Sequence, residues 1–183
     1  MAHDLRPFRQ YSEHEVVNLF SYSGDSTLVK KGLAVKVVGA GFQDGADANP
    51  VELLGSVGAS YNNVVSQRYG AKAKVALAGS GDAILGLTLM DVRETDENGE
   101  KLVFNPRKAA EMGVVISGQA VPVLTRGIVL YSGVPTATAG DDAWVSGVAG
   151  ELNGGTRATG ATKVGKWLSS KDSNGIAMLK IEL

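Results

Sequence analysis

Short alternating apolar runs, closed by glycine or by an Asn-Gly pair, limit this chain more than any other feature. In "KKGLAVKVVG" (30–39), Leu33, Val35 and Val37 fall on one face of an extended strand. In the last strand, "GIAMLKIEL", Ala177, Leu179, Ile181 and Leu183 share a face, with Lys180 and Glu182 opposite. Asn98-Gly99 and Asn174-Gly175 are the dipeptides that close tight hairpins. Glycine occurs 24 times in 183 residues, well above the usual share of about 7%. Glycine weakens helices and serves tight turns. The expected class is all-β: one or two small antiparallel β-sandwich or β-barrel units, with a short connecting helix.

The helix is expected at "NPRKAAEMG". Asn105 caps it, Pro106 suits its first position, and Gly113 ends it. The organisation expected around it is an N-terminal arm (1–27), a first β unit (28–104), the helix (105–113) and a second β unit (114–183). The arm is polar with scattered aromatics, and Ser12 with Glu15 has the form of a capping box. Phe8, Tyr11, Phe20 and Tyr22 are costly to leave in water. They either anchor the arm on another protein or pad this chain's own core. "GAGFQDGADANP" (39–50) reads as a loop, and Asn49 to Gly55 as one helical turn. Gly79 to Asp82 reads as a turn between two strands.

One strand is written nearly twice. "GLAVKV" (32–37) and "GQAVPV" (118–123) share a glycine and an Ala-Val-x-Val core. "ILGLTL" in the first half is echoed by "KVGKWL" in the second. A duplication into two similar β units is one explanation; chance matching in a Val-, Ala- and Gly-rich chain is the other. Pro122 stands where Lys36 would point outward, which would suit edge or mouth strands for both copies.

Several function classes lose support. With formal net charge −1 and no basic block, a nucleic-acid partner is not expected. No apolar run approaches the roughly 18 residues of a membrane span. No cysteine means no disulfide, thiolate nucleophile or zinc–thiolate site. "GATKVGK" (160–166) has phosphate-loop spacing, but Trp167 follows where Ser or Thr is needed. "GAGFQDG" and "AGSGDAILG" depart from the dinucleotide pattern, and "DENGE" lacks calcium-loop spacing. His3 and His14 are the two histidines, both near the N-terminus. No catalytic, metal or cofactor site is expected, and the chain is not expected to be an enzyme. Trp144 is a candidate sugar-stacking residue or a core residue.

"EVVNLFSYSG" (15–24), "ELLGSVGASYNNVVSQRYG" (52–70), the run from Leu87 to Gly133, and "VGKWLSS" with "GIAMLKIEL" resemble capsid decoration, or cement, proteins of tailed bacteriophages, especially marine and cyanobacterial ones. Asp91 to Gly133 is the most specific part. The resemblance implies a non-enzymatic virion protein on the outer capsid face, binding the major capsid protein and stabilising contacts between its subunits. It also implies a homo-oligomer, with a trimer favoured. It carries no residue roles. From the residues themselves, Arg6, Phe8, Arg9 and Tyr11 are candidate capsid contacts, with the aromatics as anchors. Deleting residues 1–20 is expected to abolish binding and leave the β core folded. The alternative is a carbohydrate- or ligand-binding β module, such as a host-attachment protein.

Overall fold

A computed structural model describes residues 4–7, 10–12, 15–22, 28–38, 74–116 and 119–183. The loop expected at 39–50 and the helical turn expected at Asn49 to Gly55 lie outside the described residues.

Among the described residues the fold is all-β, with one short α-helix and a single 3-10 turn at Leu102–Phe104. The strands are β1 (Asp4–Pro7), β2 (Val16–Val17), β3 (Ser21–Tyr22), β4 (Ala34–Val38), β5 (Lys74–Leu77), β6 (Gly86–Thr88), β7 (Asp91–Arg93), β8 (Val114–Ile116), β9 (Val123–Leu124), β10 (Arg126–Ser132), β11 (Asp142–Val145), β12 (Leu152–Asn153), β13 (Lys163–Trp167) and β14 (Ile176–Glu182). Sheet A has the order β1-β10-β14-β13-β11-β12, and sheet B the order β2-β9-β6-β4-β5-β3. β7 and β8 form a parallel pair.

The two large sheets share one core. Leu5, Val129, Tyr131, Trp167 and Leu179 of sheet A belong to the same buried cluster as Ala34, Leu87 and Leu124 of sheet B. Tyr131 and Trp167 meet edge to face, with ring centroids 5.9 Å apart and planes at 65°. That is a favoured aromatic geometry. Burial pushes the Tyr131 hydroxyl far above its ordinary pKa, so it stays protonated.

Local signals read well. Asn105 Oδ1 accepts from the Lys108 N–H at 3.3 Å, Pro106 opens helix α1 (Pro106–Met112), and Gly113 closes it at φ 63°. Asp172 carries the C-terminal hairpin turn by accepting from Asn174 N and Ile176 N. Asp96 does the same at the Asn98-Gly99 turn, accepting from Asn98 N and Glu100 N. Its carboxylate is fully buried and is neutralised by Lys108 of α1. Ser12 and Glu15 make a single capped turn: the Ser12 N–H donates to Glu15 Oε2, the Glu15 and Val16 N–H groups donate to the Ser12 carbonyl, and Val16 then enters β2.

Duplication, one of the two explanations for the repeat, fails, and so does the edge placement of its copies. The repeated strand is not a repeated unit. β4 and β9 lie in the same sheet with β6 between them, while the echoed β6 and β13 lie in different sheets. β4 pairs directly with β6, and β9 has no such relation to β13. Nor are the copies edge strands: β4 is interior to sheet B, and Val123, the residue of the second copy that lies in a strand, belongs to the interior strand β9. Pro122 is tolerated because it precedes the paired residues Val123 and Leu124, where its missing N–H costs no ladder bond. Its carbonyl still accepts from Leu89 N.

The echoed glycines nevertheless answer one need. A Cβ on Gly86 would lie 2.4 Å from the Leu124 carbonyl oxygen, and one on Gly165 only 1.9 Å from that of Lys180. Each glycine lets a neighbouring backbone come close.

Candidate interaction surface

Of the four N-terminal candidates, the structure describes Arg6 and Tyr11; Phe8 and Arg9 lie outside the described residues, as do His3 and His14. β1 pairs antiparallel with β10, with Leu5 opposite Tyr131 and Arg6 opposite Leu130. Successive side chains of a strand alternate faces. Leu5 is therefore buried in the shared core, and Arg6 points away from it with 71% of its side chain exposed. The segment is held from a second side, because Lys31 Nζ lies 2.9 Å from Asp4 Oδ1. Burial raises the Asp4 pKa, but Lys31 and Arg6 outweigh it and hold the carboxyl below its ordinary value.

Tyr11 sits on the other side of the sheet. Its hydroxyl accepts from the Ile128 N–H at 2.9 Å and donates to the Ile128 carbonyl. Its ring covers Gly127 so closely that a Cβ there would lie 2.5 Å from Tyr11 Cε1. The ring packs against the shared core. Phe20 joins the second core cluster, with Tyr22 packed against it. Arg6 and Tyr11 are thus not brought together. One faces outward from sheet A, and the other pins the chain to it.

The face that Arg6 joins is the outer face of sheet A. Register places Arg6, Leu130, Met178 and Leu168 in one row across β1, β10, β14 and the residue after β13. A second row runs Ile128, Lys180, Lys166, Asp142. Ile176 lies opposite Ser132, and Arg126 opposite Glu182. Leu168 is 44% exposed and Ile128 36%. Leu130, Ile176 and Met178 are half-buried.

The charges on this face are unevenly matched. Lys163 Nζ contacts Asp142 Oδ1 at 2.7 Å, and Lys180 contacts Glu182. These lysines hold both carboxyls below the usual range. Arg6 reaches Asp4 at 3.4 Å. Lys166 and Arg126 make no ion pair within contact distance among the described residues.

Other tempting features resolve into architecture. Lys163 to Trp167 is strand β13, not the loop-to-helix turn of a phosphate site. Trp144 is 8% exposed and offers no open ring face for a sugar, although its Nε1 has no partner among the described residues. Among the described residues no group of three or more His, Asp or Glu could hold a metal ion. No described helix is long and apolar enough to cross a membrane.

Sequence comparison supplies the family. A family model described as structural cement protein (E217 gp24/Pam3 gp6) matches residues 25–182. The chain belongs to the phage structural cement protein family. As a cement protein it is a structural, capsid-stabilising component of a phage virion, in line with the resemblance over Asp91 to Gly133. The match includes β10, β13 and β14, which build most of the outer face of sheet A, and begins after β1. No curated protein matches the chain. The apolar rows of the outer face were missed by sequence reasoning, yet they had a signal. "IVLY" and "IAML" are apolar at both parities, whereas a strand with one wet face alternates.

Proposed function

We propose that this protein binds the outer surface of a phage capsid and stabilises contacts between neighbouring major capsid subunits, without catalysing a reaction. The family match over residues 25–182 carries this reading. Cement proteins have to resist outward force on a shell. Two sheets sharing one close-packed core suit that task, because packed interiors deform little. A formal net charge of −1 lets many copies crowd a surface without strong mutual repulsion. A homo-oligomer, a trimer in the first instance, would give each capsid axis a symmetric cap.

Arg6 is the N-terminal residue best placed to touch a neighbour, because it projects from β1. Tyr11 holds that segment in place. Leu5 and Phe20 belong to buried clusters, so a 1–20 deletion would damage the core as well as any contact. Arg6→Glu is the cleaner perturbation.

The test uses virus particles of the source. This chain is quantified against the major capsid protein on a stained gel, before and after mild stripping. Near-stoichiometric amounts, released before the shell opens, are expected. A few per cent relative to the capsid protein, or absence from particles, would overturn the reading.

A further inference from the structure

The outer face of sheet A has the composition of a covered surface. In β10, Ile128 and Leu130 point out while Val129 and Tyr131 point into the core; in β14, Ile176 and Met178 point out while Ala177 and Leu179 point in. Strands apolar on both faces are those packed on both faces. Yet the outward side chains here are half-buried or exposed, and Leu168 beside Met178 is exposed as well. Side chains contiguous across three neighbouring strands form a patch, which single scattered apolar residues do not.

The charge pattern says what kind of surface fits. Lys166 and Lys180 occupy directly paired positions on neighbouring strands. Side chains so placed start about 4.5–5.5 Å apart, and like charges there repel. Lys180 has Glu182 as a partner, and Asp142, the other neighbour of Lys166, is taken by Lys163. Arg126 is also without an ion pair among the described residues. Five cations (Arg6, Arg126, Lys163, Lys166, Lys180) face three carboxylates (Asp4, Asp142, Glu182), so the face is net positive on a chain of net charge −1. A like-charged pair beside an apolar strip is a local cost that an incoming anion removes.

We infer that the outer face of sheet A docks onto a capsid surface with an aliphatic centre and a carboxylate that inserts between Lys166 and Lys180. The strip Ile128, Leu130, Met178 and Leu168 covers the aliphatic part, and Arg6 and Arg126 flank it. This rests on the capsid-binding reading and names the chemistry of the partner.

Capsids stripped of this protein are mixed with the full chain, and binding is measured by co-sedimentation across a range of salt. Lys166→Glu should weaken binding about tenfold or more and flatten its salt dependence, as expected when an interfacial charge pair is reversed. The same variant should melt close to wild type, because the new carboxylate gains Lys180 on one side but meets Asp142 on the other. Met178→Glu should also lose binding, and its melting temperature separates a docking defect from misfolding. If wild type fails to bind stripped capsids, the capsid-binding reading falls, and this inference with it. If wild type binds and both variants bind equally well, the reading survives and the inference is overturned. It is likewise overturned if Met178→Glu dissociates an oligomer of this chain without changing capsid binding, since a second copy would then be the occupant.

Discussion

Gly165→Ala tests the packing of sheet A most directly. Gly165 sits in β13 opposite Ile181 of β14, near the middle of the sheet. Its constraint is space rather than backbone conformation, since it is not among the glycines at positive φ. An added Cβ would lie 1.9 Å from the Lys180 carbonyl oxygen, 2.9 Å from its carbon and 3.1 Å from Ile181 Cα. Real Cβ atoms essentially never come under 3.0 Å, so the strands must part by about 1 Å. Ladder bonds near 2.9 Å would then stretch to about 3.9 Å, beyond useful range.

Losing two or three such bonds at about 0.5–1.5 kcal/mol each gives about 1–4 kcal/mol. Strain from overpacking beside buried Trp167 adds about 1–3 kcal/mol. The expected loss is about 2–7 kcal/mol, which for a chain of this size lowers the melting temperature by about 4–28 °C. Gly175→Ala is the control. Gly175 has φ 79° and nothing within 4 Å of the added Cβ, so it should cost only about 1–2 kcal/mol for the left-handed backbone. Thermal melts followed by circular dichroism compare the two. If Gly165→Ala melts within about 3 °C of wild type, or above Gly175→Ala, the close-approach argument is wrong.

Two further outcomes are expected. Asp96 is held below its ordinary pKa of 3.8, first by the Lys108 hydrogen bond and then by two backbone N–H groups. The stability it contributes is therefore fully present above about pH 4 and is lost as pH falls through the depressed value. Asp96→Asn should destabilise the 91–116 region at pH 7, and its gap from wild type should close in acid; a gap constant down to pH 2 would refute this. Tyr11→Phe should cost about 1 kcal/mol and raise hydrogen exchange at the Ile128 amide, whose acceptor it removes. Unchanged protection at Ile128 would show that Tyr11 does not pin the segment.

The candidate surface was partly legible. Arg6 stood out as a charged residue on an aromatic-bearing terminal segment, and the structure leaves it exposed. Tyr11 stood out equally, but nothing local says that its hydroxyl will meet Ile128, 117 residues away. The apolar rows escaped because their members come from β10, β14 and the residue after β13. Each strand shows only its own two apolar parities. Neither parity can be assigned to core or surface until the neighbouring strands are known.

Features that depend on four or five consecutive residues are settled locally. Asn105, Pro106 and Gly113 start and stop α1 through their own side chains and backbone. Asp172 and Asp96 close the Asn-Gly turns through N–H groups two and four residues on. The alternation in β14 placed Ala177, Leu179 and Ile181 in the core. Which strands are neighbours is settled by long-range pairing instead. It put the two copies of one strand on either side of β6, placed the echoed glycines in different sheets, and sent β1 to β10. The physical reason is that a period of two fixes which side chains share a face. The ladder partner is fixed by non-local backbone hydrogen bonds and by packing, which any of several Val- and Ala-rich strands could satisfy equally well in isolation.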